Sequence, residues 1–489
     1  MVGKLVWVTT LTAASILGLP TLASAQILMR TGLATLNGAN SVVVADFNRD
    51  GFMDLAVGAP EASSGVQVFL GRGDGTFSPG VAYAPGSGAA SLATADLNHD
   101  GNPDIVISNV TGDFVTVLLG NGDGTFQAPV SYTISSAFGP VALGDFNNDG
   151  KIDIATTGSA AVSFIDVLLG NGDGTFQEPA IVTYPPDGGL DALAAGYFTS
   201  SGNLDLAVAE DEGLSGEVVQ ILLGNGDGTF SIGASYGVDD DAETIVAADL
   251  RNNGTTDLVV AALISPGPAV LLGNGDGTFE QPVYYHLSDV ALSTTVAVGD
   301  MNGDGILDLV SAPTVIPKLT NYSAVCIFPG NGDGTFGIPD FSYPVASNSF
   351  PQGVALADFN GDGQLDVTIA DQFGQRNGVS EYVLLNTGTA KFLPVSLLSF
   401  PNQKSGTTSP PQRVTFTNEG KANLSISSIT TTGEFGATST CAKAVAAKGS
   451  CTISVTFSPK TTGEMSGTVE INDSASSKPQ VIPLTGRGY

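Results

Sequence analysis

The sequence predicts an all-β chain: a seven-bladed β-propeller over residues 26–400, then an immunoglobulin-like β-sandwich over residues 401–489. Three observations lead there. Two short motifs alternate along the chain in seven copies, each copy holds four strand-like segments, and the charge balance changes after about residue 400. Repetition at a period of roughly 20–50 residues marks solenoids and propellers.

Residues 1–25 read as a signal peptide. Lys4 precedes an apolar run from Leu5 to Leu22, and Ala23-Ser24-Ala25 suits a signal peptidase, so the mature chain is expected to begin near Gln26. Gly18 and Pro20 shorten the apolar run, which argues against a retained anchor. No later stretch is long and apolar enough for a membrane-spanning helix. Secretion or display at the cell surface follows as an expectation.

The first motif is DFNRDGFMDLAV at Asp46. It returns at Asp96, Asp145, Asp300 and Asp358, with worn copies at Tyr197 (YFTSSGNLDLAV) and Asp249 (DLRNNGTTDLVV). The second motif, LGNGDGTF, ends at Phe77, Phe126, Phe176, Phe230, Phe279 and Phe336, with a drifted form ending at Phe392. In the first unit, Ser41 to Ala45, Leu55 to Gly58, Val66 to Leu70 and the segment after Phe77 read as four strands. Four short strands repeated radially describe a propeller blade.

A ring, not a linear array, is indicated by small residues. Ala45, Ala95, Gly144, Gly196, Ala248, Gly299 and Ala357 stand just before the first motif, where seven inner strands would converge on one axis. Two segments compete to close the circle: Ile27 to Leu36 and Val395 to Phe400. The N-terminal one is favoured, because it precedes the first strand as fourth strands do elsewhere.

The first motif carries the chemistry. D-x-N-x-D-G-x-x-D sets oxygen side chains at alternating positions of a tight turn. Its donors are Asp46, Asn48, Asp50, the carbonyl of Phe52 and Asp54; then Asp96, Asn98, Asp100, Asn102 and Asp104; then Asp145, Asn147, Asp149, Lys151 and Asp153. Asp300, Asn302, Asp304, Ile306 and Asp308, and Asp358, Asn360, Asp362, Gln364 and Asp366, repeat the set, the seventh position acting through its carbonyl. Hard oxygen donors without His or Cys, at the spacing of an EF-hand loop, point to Ca²⁺ at about five sites. A solvated acidic turn would not need an oxygen side chain at position three in all five. In the worn copies Tyr197, Thr199 and Ser201 replace the first three donors, so the fourth blade is expected to lack the ion. A sixth site at Asp249, Asn253 and Asp257 competes with Arg251, whose guanidinium stands where an ion would. The GNGDGTF segment reads as a hairpin turn whose Phe plugs the core. Arg72-Gly73-Asp74 in the first copy is read as one changed residue in that turn.

At these loops the sequence resembles the FG-GAP, or VCBS, repeats of integrin α-subunit propellers and many bacterial surface proteins, over roughly residues 27–400. The resemblance implies ion loops that stiffen one rim, and functions from adhesion and protein or glycan recognition to occasional polysaccharide lyase scaffolds. The segments from SFPNQKSG to IPLTGRGY are similar to the abnormal-spindle/Hydin group, called choice-of-anchor domains in bacteria. Cys441 and Cys451, ten residues apart in an exported domain, are expected to form a disulfide worth roughly 2.5–3 kcal/mol; two reduced thiols are the alternative. Cys326 is left over as a free thiol.

The net charge of −31 comes from 17 basic and 48 acidic residues. Much of the acid lies in the loops, and the tail from Pro401 onward holds more basic than acidic residues, which argues for two domains and against nucleic acid as partner. His99 and His286 have no nucleophile or metal partner in their motifs, and no catalytic motif is present. The expected function is therefore a monomeric, calcium-binding recognition or adhesion propeller for an extracellular protein or glycan. The alternatives are a carbohydrate-active lyase or hydrolase on the same scaffold, or a purely structural surface element. Loops on the rim away from the ion motifs differ in every blade. Lys318, Tyr322, Gln372, Phe373 and Arg376 are the first candidates there to touch a ligand.

Overall fold

The second strand of most repeats is rich in apolar residues, and the reason is burial on both faces. Asp54–Ala59, Asp104–Asn109, Asp257–Ala262, Asp308–Pro313 and Asp366–Asp371 are buried at every residue. The computed structural model describes Leu28–Tyr489 except residues 34–37, 61–64, 84–87, 136–137, 160–162, 184–188, 212–216, 240, 264, 266, 287–292, 314–321, 340–341, 348–349, 373–380, 387–390, 393–397, 419–423, 442, 447–448 and 474–479. The expected signal peptide, 1–25, lies outside the described residues.

Among the described residues, seven antiparallel four-stranded sheets follow one another from Leu28 to Asn386. The first pairs Ser41–Ala45, Asp54–Ala59, Gly65–Phe69 and Val81–Tyr83 in sequence order. Seven hydrophobic clusters hold the sheets, each built by two successive blades. Phe47, Val66 and Val68 meet Leu92, Ile105 and Phe126, for example. The series returns on itself, since Leu55, Val57 and Phe77 of the first blade pack with Phe359, Ala370 and Val383 of the seventh. The first strand, Leu28–Leu33, supplies the fourth strand of the last sheet by pairing antiparallel with Glu381–Asn386. Closure is therefore by the N-terminal segment.

The chain divides into two units between Ala390 and Lys391, ten residues before the expected boundary. Phe392 does not end a seventh blade turn: the strand Lys391–Phe392 pairs with Gln412–Thr417 in the second unit. Nor does Val395 to Phe400 belong to the ring, because Leu398–Ser399 runs parallel to Gln480–Gly488. Phe400 is buried 5.6 Å from Phe435 and 6.0 Å from Phe457, ring centre to ring centre. The second unit is a four-stranded and a five-stranded sheet around Phe416, Ile453, Phe457, Ile471 and Leu484. Ser450–Phe457 shows the alternation expected of a sandwich strand, buried at every second residue. Cys441 and Cys451 form the disulfide, and Cys326 is buried and outside any disulfide.

Candidate metal centre

Each ion loop leaves the end of an inner strand as a tight turn that its own side chains hold. In the first blade the Asp50 N–H donates to Asp46 Oδ1 and Asn48 Oδ1, both at 3.0 Å, and Gly51 N–H donates to Asp46 Oδ2 at 2.9 Å. Phe52 N–H donates to Asp50 Oδ1 at 2.9 Å. The same bonds recur at Asp96 to Asn102, Asp145 to Lys151, Asp300 to Ile306 and Asp358 to Gln364. Two left-handed residues make this turn possible. Gly51 has φ 88°, and Arg49 at position four has φ 56°, a conformation that costs a side-chain-bearing residue energy.

Position nine has a role that motif reading missed. Asp54 is fully buried; Phe47 N–H donates to its Oδ2 at 2.8 Å, and Gly71 N–H, from the end of the third strand, donates to its Oδ1 at 2.7 Å. Asp104, Asp153, Asp308 and Asp366 repeat the arrangement. So does Asp205 of the fourth blade, although that loop has lost its other acids. Burial pushes the Asp54, Asp104 and Asp308 carboxyls up to about 6 and Asp366 to about 7. This aspartate is a strut tying loop to blade. Its survival beside Tyr197, Thr199 and Ser201 was the available signal. Both of its oxygens already accept a backbone N–H.

Among the described residues, no three acidic, His or Cys side chains form a ready-made metal cluster. The loops show why: positions one and five supply two carboxylates, position three an amide oxygen, and the third carboxylate faces the blade wall. The donors are nevertheless all oxygen and oriented by the turn, with position five exposed and positions one and three half-buried, which fits a hard divalent cation such as Ca²⁺ and no softer metal.

The worn loops differ. In the fourth blade Thr199 and Ser201 bond each other at 2.8 Å through their hydroxyls, and Asn203 N–H donates to Ser201 Oγ. In the fifth, Arg251 Nη2 donates to Asp257 Oδ1 at 2.6 Å and to the Gly273 carbonyl at 2.5 Å, while its Nε reaches Asp257 Oδ2 at 3.2 Å. A built-in cation thus sits on the position-nine aspartate.

The GDGTF turns clamp four of the loops to the neighbouring blade. Gly124 N–H of the second blade donates to the Phe47 carbonyl of the first, and Gly75, Gly228 and Gly277 do the same to Phe359, Phe146 and Phe198. A Cβ on Gly124 would stand 2.8 Å from Leu70, and its φ is 81°, so only glycine fits. The plug rings meet the position-two rings edge to face, Phe126 with Phe47 at 5.5 Å. Asp74 is consumed in its turn by Thr76, whose N–H and Oγ–H both donate to Oδ1 and hold that carboxyl below the usual range. Arg72-Gly73-Asp74 is accordingly part of a turn.

Among the ligand-face candidates, Lys318, Phe373 and Arg376 lie outside the described residues. Tyr322 opens the strand Tyr322–Phe328, and Gln372 N–H donates to the Phe350 carbonyl at 3.0 Å.

Comparison with known proteins agrees with this geometry. A family model described as FG-GAP-like repeat matches residues 46–107, 96–156, 145–208, 261–311 and 315–369, more than half of the chain. A second, described as Abnormal spindle-like microcephaly-assoc'd, ASPM-SPD-2-Hydin, matches residues 389–481. No curated protein matches. Among solved structures, BBS1N in complex with ARL6DN, soaked with lead, is 8% identical over 75% of this chain and 98% of that one, at a TM-score of 0.50, a likeness of fold alone. The ASH / PapD-like domain of human CEP192 (PapD-like domain 7) is 17% identical over 21% of this chain and 85% of that one, with a TM-score of 0.16 that carries no argument.

Proposed function

The chain belongs to the FG-GAP-like repeat family and ends in an abnormal-spindle/Hydin-type immunoglobulin-like domain, and from that premise we propose that it is exported and works as a calcium-stiffened propeller recognising a protein or glycan ligand. One observation carries the reading: a division of labour between the two rims. On the ion-loop rim the same struts, turns and inter-blade clamps recur from blade to blade. The loops of the opposite rim share no such pattern in sequence. A rigid frame that repeats and loops that diverge are what recognition requires. The calcium assignment is supported by the five oxygen-only donor sets. Ca²⁺ would neutralise paired acids there and tighten a rim already clamped to its neighbours.

The test is a screen of the calcium-loaded chain on glycan and protein arrays, followed by Tyr322→Ala and Arg376→Ala on any ligand found. Binding is expected to weaken at least tenfold with an unchanged melting temperature. Loss through changes on the GDGTF rim instead, with these two variants binding normally, overturns the assignment of faces.

A further inference from the structure

Position four lies outside the donor set of its own ion loop, yet its backbone is strained. Arg49, His99 and Asn148 stand there with φ 56°, 58° and 59°. Asn tolerates this left-handed region and Gly enters it freely, as Gly303 and Gly361 do in the sixth and seventh blades. Arg and His are poorly suited to it, and strain of this kind collects at functional positions. From this backbone the side chains reach the following blade. Arg49 Nη1 donates to Asn102 Oδ1 at 3.4 Å, and Asn148 Nδ2 donates to Asn203 Oδ1 at 2.8 Å. Both acceptors are position seven of the next loop round the ring. A Cβ on Gly101 of the second loop would stand 3.9 Å from Arg49 Nη1, and one on Gly361 would stand 3.6 Å from the Gly73 carbonyl of the first blade. What crosses therefore depends on the residue: a guanidinium into the second loop, an amide into the fourth, and no side chain from the sixth and seventh blades.

We propose that Arg49 sets the calcium affinity of the second loop from the first blade, making Asp96, Asn98, Asp100 and the Asn102 carbonyl a weaker site than those donors alone would be. The inference rests on the calcium reading above and adds regulation to it. Two effects of Arg49 compete. Holding Asn102 in place would favour the ion, but the contact is exposed and at the long end of hydrogen-bond range. Repulsion acts the other way and needs no contact. A guanidinium stays charged, a divalent ion doubles the Coulomb term, and screening at about 0.1 M salt reaches only to about 10 Å. Repulsion wins, so the rim stiffens over a range of calcium concentrations and not at one.

Calcium titrations of the full chain against a competing chelator test this with two variants. Arg49→Gln removes the charge and keeps an amide to donate to Asn102, whereas Arg49→Lys keeps the charge and loses the fork. At about 0.1 M salt Arg49→Gln is expected to tighten one site about threefold, and Arg49→Lys to match the parent. At about 1 M salt the gain disappears, because the screening length falls to about 3 Å. In an Asp100→Asn background, which takes a carboxylate from the second loop, Arg49→Gln alters none of the remaining sites. Asn98→Ala disables the same loop should Asp100→Asn melt early. The proposal is overturned if Arg49→Gln leaves every site unchanged or weakens one, or if Arg49→Lys tightens binding equally. It is overturned too if the gain survives high salt or persists with the second loop disabled. A parent chain that binds no calcium removes the calcium reading and this proposal with it; any of the other results, on a parent that does bind, removes the proposal alone.

Discussion

The ion loops of the third and fifth blades follow one backbone path and answer their charge differently. In both, the first aspartate takes two backbone N–H groups, at 3.0 and 2.8 Å in Asp145 and at 3.0 and 2.7 Å in Asp249. Asn148 and Asn252 both occupy the left-handed region, and Gly150 and Gly254 share φ 81°. The path thus depends on the first Asp and the Gly, not on position three. In the third blade Asn147 holds position three, and the Lys151 ammonium lies 3.1 Å from Asp149 at the exposed rim. In the fifth, Arg251 turns inward and pairs with the fully buried Asp257. One loop meets an acid at the exposed rim with its own lysine and keeps an oxygen at position three, while the other sends an arginine inward onto the buried aspartate.

The largest break in this comparison comes from calcium itself. If dissociation constants are on the order of 10⁻⁴–10⁻³ M, about 10 mM Ca²⁺ contributes about 1.4–2.7 kcal/mol per occupied site. Excess EDTA is therefore expected to lower the melting temperature markedly, and millimolar Ca²⁺ to restore it. An identical melting curve in both conditions ends the calcium assignment.

A smaller effect separates strut from ligand. Asp205→Ala leaves the N–H groups of Phe198, Thr199 and Gly224 without their acceptor in a loop that has lost its other acids. It is expected to cost about 3 kcal/mol in urea unfolding, equally with and without Ca²⁺. Asp149→Ala should cost stability chiefly with Ca²⁺ present and lower the ion stoichiometry by one. A calcium-dependent loss at Asp205 would merge the two roles.

The smallest change converts one loop into the other. Arg251→Asn removes the inner cation and restores an oxygen at position three, so the metal-free protein is expected to lose about 2 kcal/mol. Equilibrium dialysis should then count one more bound Ca²⁺ than in the parent chain. An unaltered count would show that Asn253 at position five is too weak a donor to complete the site.

How far the sequence reaches is visible in the same elements. The blades, the turn glycines and the disulfide were legible because each has a local cause: a periodic apolar pattern, a left-handed angle, two cysteines close in sequence. Phe392 was misread, since a phenylalanine after a glycine-containing turn looks like a plug. Only its pairing with Phe416, a tertiary contact, assigns it to the second unit. Asp54 was legible as an acid but not as a strut, because the Gly71 amide it holds comes from the far end of the blade. The acids on the ring's axis were not legible, because nothing local says that Asp191 and Glu243, on separate strands, face one cavity.

Closure by Leu28–Leu33 also sets an order of events. Its partner, Glu381–Asn386, is separated from it by nearly the whole ring, a pairing of very high contact order that forms slowly and late. Until then the seventh sheet has an open edge and the first strand has none to join, both competent to pair with the wrong chain. Sealing needs every intervening blade in place, so the ring checks its own completeness. A chain cut short before Glu381 retains its free edge, which marks it for aggregation or proteolysis.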